Sequence, residues 1–156
     1  MNRLYTENFR DQVLNKKVIE GIPYLRFLGI RLDVRGDELT VILPYNRHFI
    51  GNPDIPALHG GVTASLLEIT ATVDLCLKRL ALDIKNGDKP LEPQEIVLPK
   101  TISFSVDYLR GGAPKDSFAK AKINRMGRRY ASVQVEAWQD ERTRLFAQGT
   151  GHFLLI

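Results

Sequence analysis

The chain has 156 residues, 44% of them hydrophobic and 26% charged, with a formal net charge of +4 and one cysteine. That size holds one domain with a core of its own, and the lone Cys76 excludes an internal disulfide framework. No uninterrupted apolar run reaches the roughly 18 residues of a membrane span, and the N-terminus lacks a signal-peptide pattern, so a cytoplasmic protein without membrane insertion is expected.

In chain order, residues 7–20 predict an amphipathic helix with Phe9, Val13 and Leu14 on one face, ended by Gly21 and Pro23. This gives an N-terminal helical extension at 1–22 and a main domain at 23–156. Residues 23–27 are expected to form a connector that packs Tyr24, Leu25 and Phe27. Strands follow at 30–35 and 38–43, joined at Gly36-Asp37 as a tight hairpin. Residues 44–58 are rich in breakers and predict a loop.

From Val62 to Leu80, apolar residues recur at 62, 66, 69, 73, 77 and 80, the spacing of a helix. The opposite side carries Ala64, Ala71 and Leu75, so the helix is apolar nearly all round and is expected in the core. Glu68 is its first formal charge, and a carboxylate among apolar residues needs a partner or a use. His59-Gly60-Gly61 marks the start, where free N–H groups and the positive end of the helix dipole gather. Asp74 reads as a helix residue at a boundary.

The helix is expected to fade near Leu82, and residues 85–99, with Asn86-Gly87 and three prolines, read as irregular. Four strands then follow at 101–109, 118–125, 130–139 and 145–155. Ile102, Phe104, Val106 and Tyr108 alternate onto one face of the first; Val133, Val135 and Ala137 do so in the third. Gly111-Gly112, Met126-Gly127 and Asp140-Glu141 supply the turns. The order implies an α+β fold, an antiparallel sheet wrapped around one long helix. The helix's second apolar side and an open sheet edge call for a second copy, so dimers or tetramers are expected.

Charge is placed unevenly. Between residues 110 and 129, seven basic residues (Arg110, Lys115, Lys120, Lys122, Arg125, Arg128, Arg129) meet one acid, Asp116, and the remainder is slightly acidic. Such a segment favours an anionic partner. No nucleic-acid motif accompanies it, so nucleic acid is not expected as that partner.

His59-Gly60-Gly61 followed by Glu68, then Asp107-Tyr108-Leu109-Arg110, Arg125-Met126-Gly127-Arg128-Arg129 and Ala147-Gln148-Gly149-Thr150-Gly151, together resemble the PaaI-type acyl-CoA thioesterases of the hotdog fold. The resemblance spans residues 23–156. It implies hydrolysis of an acyl-CoA to free acid and CoA, with the Gly60 amide polarising the thioester carbonyl and Glu68 as general base or nucleophile. His59 is expected to orient the loop or touch the thioester. Asn52 is the nearest match to an Asn that such enzymes hold near the thioester, and Thr101 to a hydroxyl that positions water across the dimer. Gly61, Arg110, Arg125, Arg128 and Arg129 are expected to bind the substrate, the arginines pairing with coenzyme A phosphates. No cofactor is implied, coenzyme A being part of the substrate. His48 and His152 lack ligand-like neighbours, so no metal site is expected.

Two other function classes stay open. The segment from His48 to Pro56 resembles the loop of hotdog β-hydroxyacyl thioester dehydratases, in which a loop His and a helix acid act together. A non-catalytic acyl-CoA-binding module would bind the ester and leave Glu68 idle.

Overall fold

The computed structural model describes residues 12–86 and 95–156. Residues 12–14 lead into a π-helical segment, Asn15–Glu20; the two together are α1. Phe9 lies outside the described residues, but Val13, Leu14 and Val18 are buried in the main core. Pro23 does not open a connector. It opens a short helix, α2 (Pro23–Leu28), because proline suits the first helical turn, and Gly29 at φ 69° closes it. Strands β1 (Arg31–Arg35) and β2 (Glu38–Leu43) pair about Gly36, whose φ of 62° is the left-handed conformation a tight hairpin needs.

The loop at 44–58 contains a 3-10 turn, Arg47–Phe49, and a small two-stranded ribbon of β3 (Ile50–Asn52) with β4 (Ala57–Leu58). The long helix α3 runs from Gly60 to Asn86, four residues beyond its expected fading point at Leu82. Of the irregular stretch at 85–99, residues 87–94 lie outside the described residues. Then come β5 (Lys100–Tyr108), β6 (Ser117–Met126), β7 (Tyr130–Trp138) and β8 (Ala147–Leu154).

Six strands form one antiparallel sheet in the order β1-β2-β6-β7-β8-β5, and α3 lies across its inner face. Alternation carries Leu39, Val41 and Leu43 of β2, and Ala131, Val133, Val135 and Ala137 of β7, onto that face. Opposite them α3 buries Leu66, Thr70, Val73 and Leu77. Several inner positions are small (Ala119, Ala131, Ala137, Ala147), which lets the helix sit close to the sheet. Thr63, Ile69, Thr70, Thr72 and Val73 are poor helix formers, so burial rather than propensity holds this helix. By length and composition alone α3 would also pass for a membrane span; 56% of its most apolar window is buried inside the protein, as befits a core helix.

One irregularity shapes the site. In β5, Thr101 pairs with Phe153 and Ser103 with His152, so Ile102 is an extra, bulged residue. The expected alternation therefore fails at its first member. Ile102 is 59% exposed, while Phe104, Val106 and Tyr108 stay on the helix side and Thr101 joins them. The inner positions Gly149 and Gly151 of β8 leave room for the Phe104 ring, which a Cβ at either glycine would meet at 2.7 or 2.5 Å.

Candidate active site

The start of α3 is fastened by polar contacts on every side. His59 Nδ1 accepts the Gly61 N–H at 2.9 Å, so this histidine caps the helix and, when neutral, carries its proton on Nε2. The His59 N–H in turn donates to the Phe49 carbonyl at 2.7 Å. Gly51 lets the preceding ribbon come this near, since a Cβ there would lie 2.7 Å from His59 Cα. The Tyr108 hydroxyl donates to the Gly60 carbonyl at 3.0 Å. Ser65 donates to the Gly61 carbonyl at 2.8 Å and accepts from Tyr24 of α2 at 2.9 Å. Among the described residues the Gly60 N–H meets no acceptor. A free amide at the positive end of a 27-residue helix is suited to an oxygen that gains negative charge.

Two turns further along, Glu68 is half-buried on the side of α3 that faces away from the sheet centre. It does not sit within the core as its apolar surroundings in sequence imply. The Thr101 hydroxyl donates to Glu68 Oε1 at 2.6 Å, a contact that the bulge at Ile102 makes possible. That bond fixes one carboxylate oxygen and leaves Oε2 without a hydrogen-bond partner among the described residues. Tyr108 at Gly60 and Thr101 at Glu68 show that β5 runs along α3 in the opposite direction.

The other sequence candidates fall elsewhere. Asn52 Oδ1 accepts from the Asp54 and Ile55 N–H groups at 3.0 and 3.3 Å, so this oxygen shapes the exposed loop. His48 is exposed on the 3-10 turn and shares no hydrogen bond with Glu68 of the same chain. The basic segment divides. Lys115 is ion-paired with Asp140 at 2.5 Å and Lys120 with Glu38 at 2.6 Å. Arg110 donates twice to the Leu145 carbonyl, at 2.9 and 2.6 Å, beside the Tyr108 end of β5. Arg125, Arg128 and Arg129 belong to the β6–β7 hairpin at the opposite end, where Tyr130 and Lys100 both flank Leu154. In the sequence Tyr108 reads as an alternating strand residue and part of a motif, with no role at the helix start. Its hold on the Gly60 peptide is a contact across 48 residues that no local pattern announces.

Comparison with known proteins agrees with this architecture. The thioesterase superfamily model matches residues 56–146, a stretch that includes His59, Gly60, Glu68, Thr101 and the β6–β7 hairpin. The medium/long-chain acyl-CoA thioesterase YigI of Salmonella typhimurium is 26% identical over 143 residues, covering 90% of this chain and 91% of that protein. A Chromobacterium violaceum protein of known crystal structure is 32% identical, with a TM-score of 0.67 over 98% of this chain and 97% of that one. The Escherichia coli PaaI protein of the phenylacetic acid degradation operon superposes with a TM-score of 0.73 over 96% and 94% of the chains; at 15% identity it speaks for the fold alone. With more than half of its length matched, this chain belongs to the thioesterase superfamily and carries the hotdog fold.

Proposed function

We propose that this thioester hydrolase acts on acyl-CoA, releasing a free acid and coenzyme A, from a site shared by two protomers. The observation that carries the reading is the Thr101–Glu68 hydrogen bond on the open side of α3. Gly60 and Glu68 are eight residues apart, about 12 Å along the helix axis. One thioester carbonyl cannot accept from the Gly60 amide and also lie within attacking distance of the same chain's Glu68. A second copy resolves this. β5 is a nine-residue strand at the sheet edge, with Ile102 exposed, and such an edge invites pairing. Two-fold pairing with the partner's β5 is antiparallel and sets the Tyr108–Gly60 end against the partner's Thr101–Glu68 end.

In that arrangement the Gly60 N–H holds the carbonyl oxygen as it becomes an oxyanion, aided by the helix dipole. The partner's Glu68 supplies its free oxygen, taking a proton from water or attacking the carbonyl carbon. In the first route the water oxygen forms the new C–O bond and its proton passes through Glu68 to the departing sulfur. In the second Glu68 forms that bond, and water then cleaves the resulting anhydride to free acid. In both the C–S bond breaks and coenzyme A leaves. Thr101 keeps the carboxylate turned toward the carbonyl. Arg110 and the partner's Arg128-Arg129 hairpin come to the same side of the dimer, where coenzyme A phosphates need cations. The chemistry asks for no cofactor.

The test is a hydrolysis screen with free-thiol detection across short, long and aromatic acyl-CoAs, alongside light scattering. The likeness to YigI favours medium and long chains as the best substrates. Thiol release by a dimer or tetramer is expected. No release from any acyl-CoA, or a stable and active monomer, would contradict the reading.

A further inference from the structure

Beyond Thr101 the chain continues along α3 as residues 96–99, and here it covers a groove. Leu75, Cys76 and Leu80 of α3 form one wall; Ile96 and Val97 form the other, and Leu155 closes the base. Arg79, Asp83 and Glu95 also line it, and Arg79 and Asp83 satisfy each other in an ion pair of 3.2 Å. Val97 at 58% exposure and Ile156 at 63% leave apolar surface at the mouth.

The groove is aligned with the reaction centre. Seven residues bring a helix back to within about 20° of the same direction, so Leu75 lies on the Glu68 side of α3. Leu75 and Leu80 stand about 10 and 18 Å beyond Glu68 along the axis. Because β5 runs opposite to α3, the segment that precedes Thr101 must lie over this half of the helix. An extended chain starting at Glu68 and directed away from Gly60 enters the groove without a turn.

We propose that this groove receives the apolar end of the acyl chain, and that Cys76 and Val97 set the longest chain accepted. The inference rests on the acyl-CoA reading and adds where the chain goes. A thioester carbon beside Glu68 sends its coenzyme A side toward the partner's Gly60 and its acyl side along the same chain's helix. Most of the lining is carbon and sulfur, from Leu75, Cys76, Leu80, Ile96, Val97 and Leu155, which suits the saturated end of an acyl chain.

The test compares kcat/KM for a series of saturated acyl-CoAs in the parent protein, Cys76→Leu and Val97→Trp. Cys76→Leu shortens the groove from within; Val97→Trp covers it from an exposed position where folding does not depend on the side chain. Each lost methylene contact in an apolar pocket is worth about tenfold or more in selectivity. Activity on the longest good substrate should fall at least about tenfold in both variants, while the shortest substrates stay within about twofold. Retained short-chain activity reports that the fold is intact. If Cys76→Leu lowers all chain lengths alike, Val97→Trp decides. Chain-length profiles that superimpose on the parent's overturn the groove assignment and leave the acyl-CoA reading standing. A parent that hydrolyses no acyl-CoA overturns both.

Discussion

Two of the three carboxylates on α3, Glu68 and Asp74, lie in different surroundings. Glu68 is half-buried, accepts a hydrogen bond of 2.6 Å from Thr101 and lies beside the open edge strand. Asp74, six residues on, is only 5% exposed and finds no hydrogen-bond donor among the described residues. Six residues turn a helix by one and two-thirds turns, so the side chains point about 120° apart. Asp74 faces a cavity between α3, β2 and β6, in which Lys78 is the nearest countercharge. Burial pushes its carboxyl up to about 6, and Lys78 offsets only part of that. The comparison separates two meanings of an acid in an apolar helix. Glu68 is oriented and reachable; Asp74 is enclosed and costs stability.

The largest expected effect lies on the Glu68 side. Glu68→Gln keeps shape and removes the basic or attacking oxygen, so kcat should fall roughly 10²–10⁴-fold with little change in KM. Stopped-turnover assays on the best acyl-CoA measure this, and a loss under about tenfold would put the reacting group elsewhere. Thermal stability should hardly move, since the acid is half exposed.

Asp74→Asn should show the opposite profile, with near-normal kcat and raised stability. The folded carboxyl is raised above its unfolded value, so the fold favours the protonated form. Stability is then greatest below about pH 4, declines as pH rises toward 6, and stays lower above it. The substitution should recover on the order of 2–3 kcal/mol at pH 7.5 and little at pH 4. Denaturant melts of parent and variant at both pH values test the sign; a constant gap would show that Asp74 is not titrating as described.

Smaller effects are expected where contacts only position the reacting groups. Tyr108→Phe releases the Gly60 carbonyl and should lower kcat about tenfold, comparable to the net worth of one hydrogen bond. Thermal stability and product inhibition by coenzyme A should stay close to the parent's. Arg128→Ala with Arg129→Ala should raise KM severalfold for acyl-CoA but not for a short acyl thioester lacking the nucleotide. High salt should narrow that gap by screening exposed charge.

Much of this architecture is legible in the sequence. Period-2 alternation in β7 and the 3.6 period of α3 both follow from one-sided burial, which acts on each residue locally. The Gly60 start and Glu68 were legible for the same reason, as departures from an apolar pattern. Thr101 was harder to place. The run Ile102, Phe104, Val106, Tyr108 reads as unbroken alternation, and only pairing with β8, where Phe153 must face inward and His152 outward, forces the bulge. The face taken by Asp74 and the tie between Tyr108 and Gly60 likewise depend on contacts far apart in the chain. Asn52 shows the converse. Its place before Pro53-Asp54 is a turn signal, and the turn claims its oxygen.

The shared site is tested most directly by complementation. Gly60→Pro removes the N–H at a position where a helix tolerates proline, and Glu68→Gln removes the reacting oxygen. Each homodimer should be inactive. Co-expressed and co-purified with distinct tags, the mixed dimer holds one site with an intact Gly60 facing an intact Glu68, and one site lacking both. Purified mixed dimer should therefore regain roughly half the parent's kcat per dimer, as two-fold symmetry requires. Mixed dimers as inactive as either parent variant would contradict the account and place Gly60 and Glu68 at the same thioester within one chain.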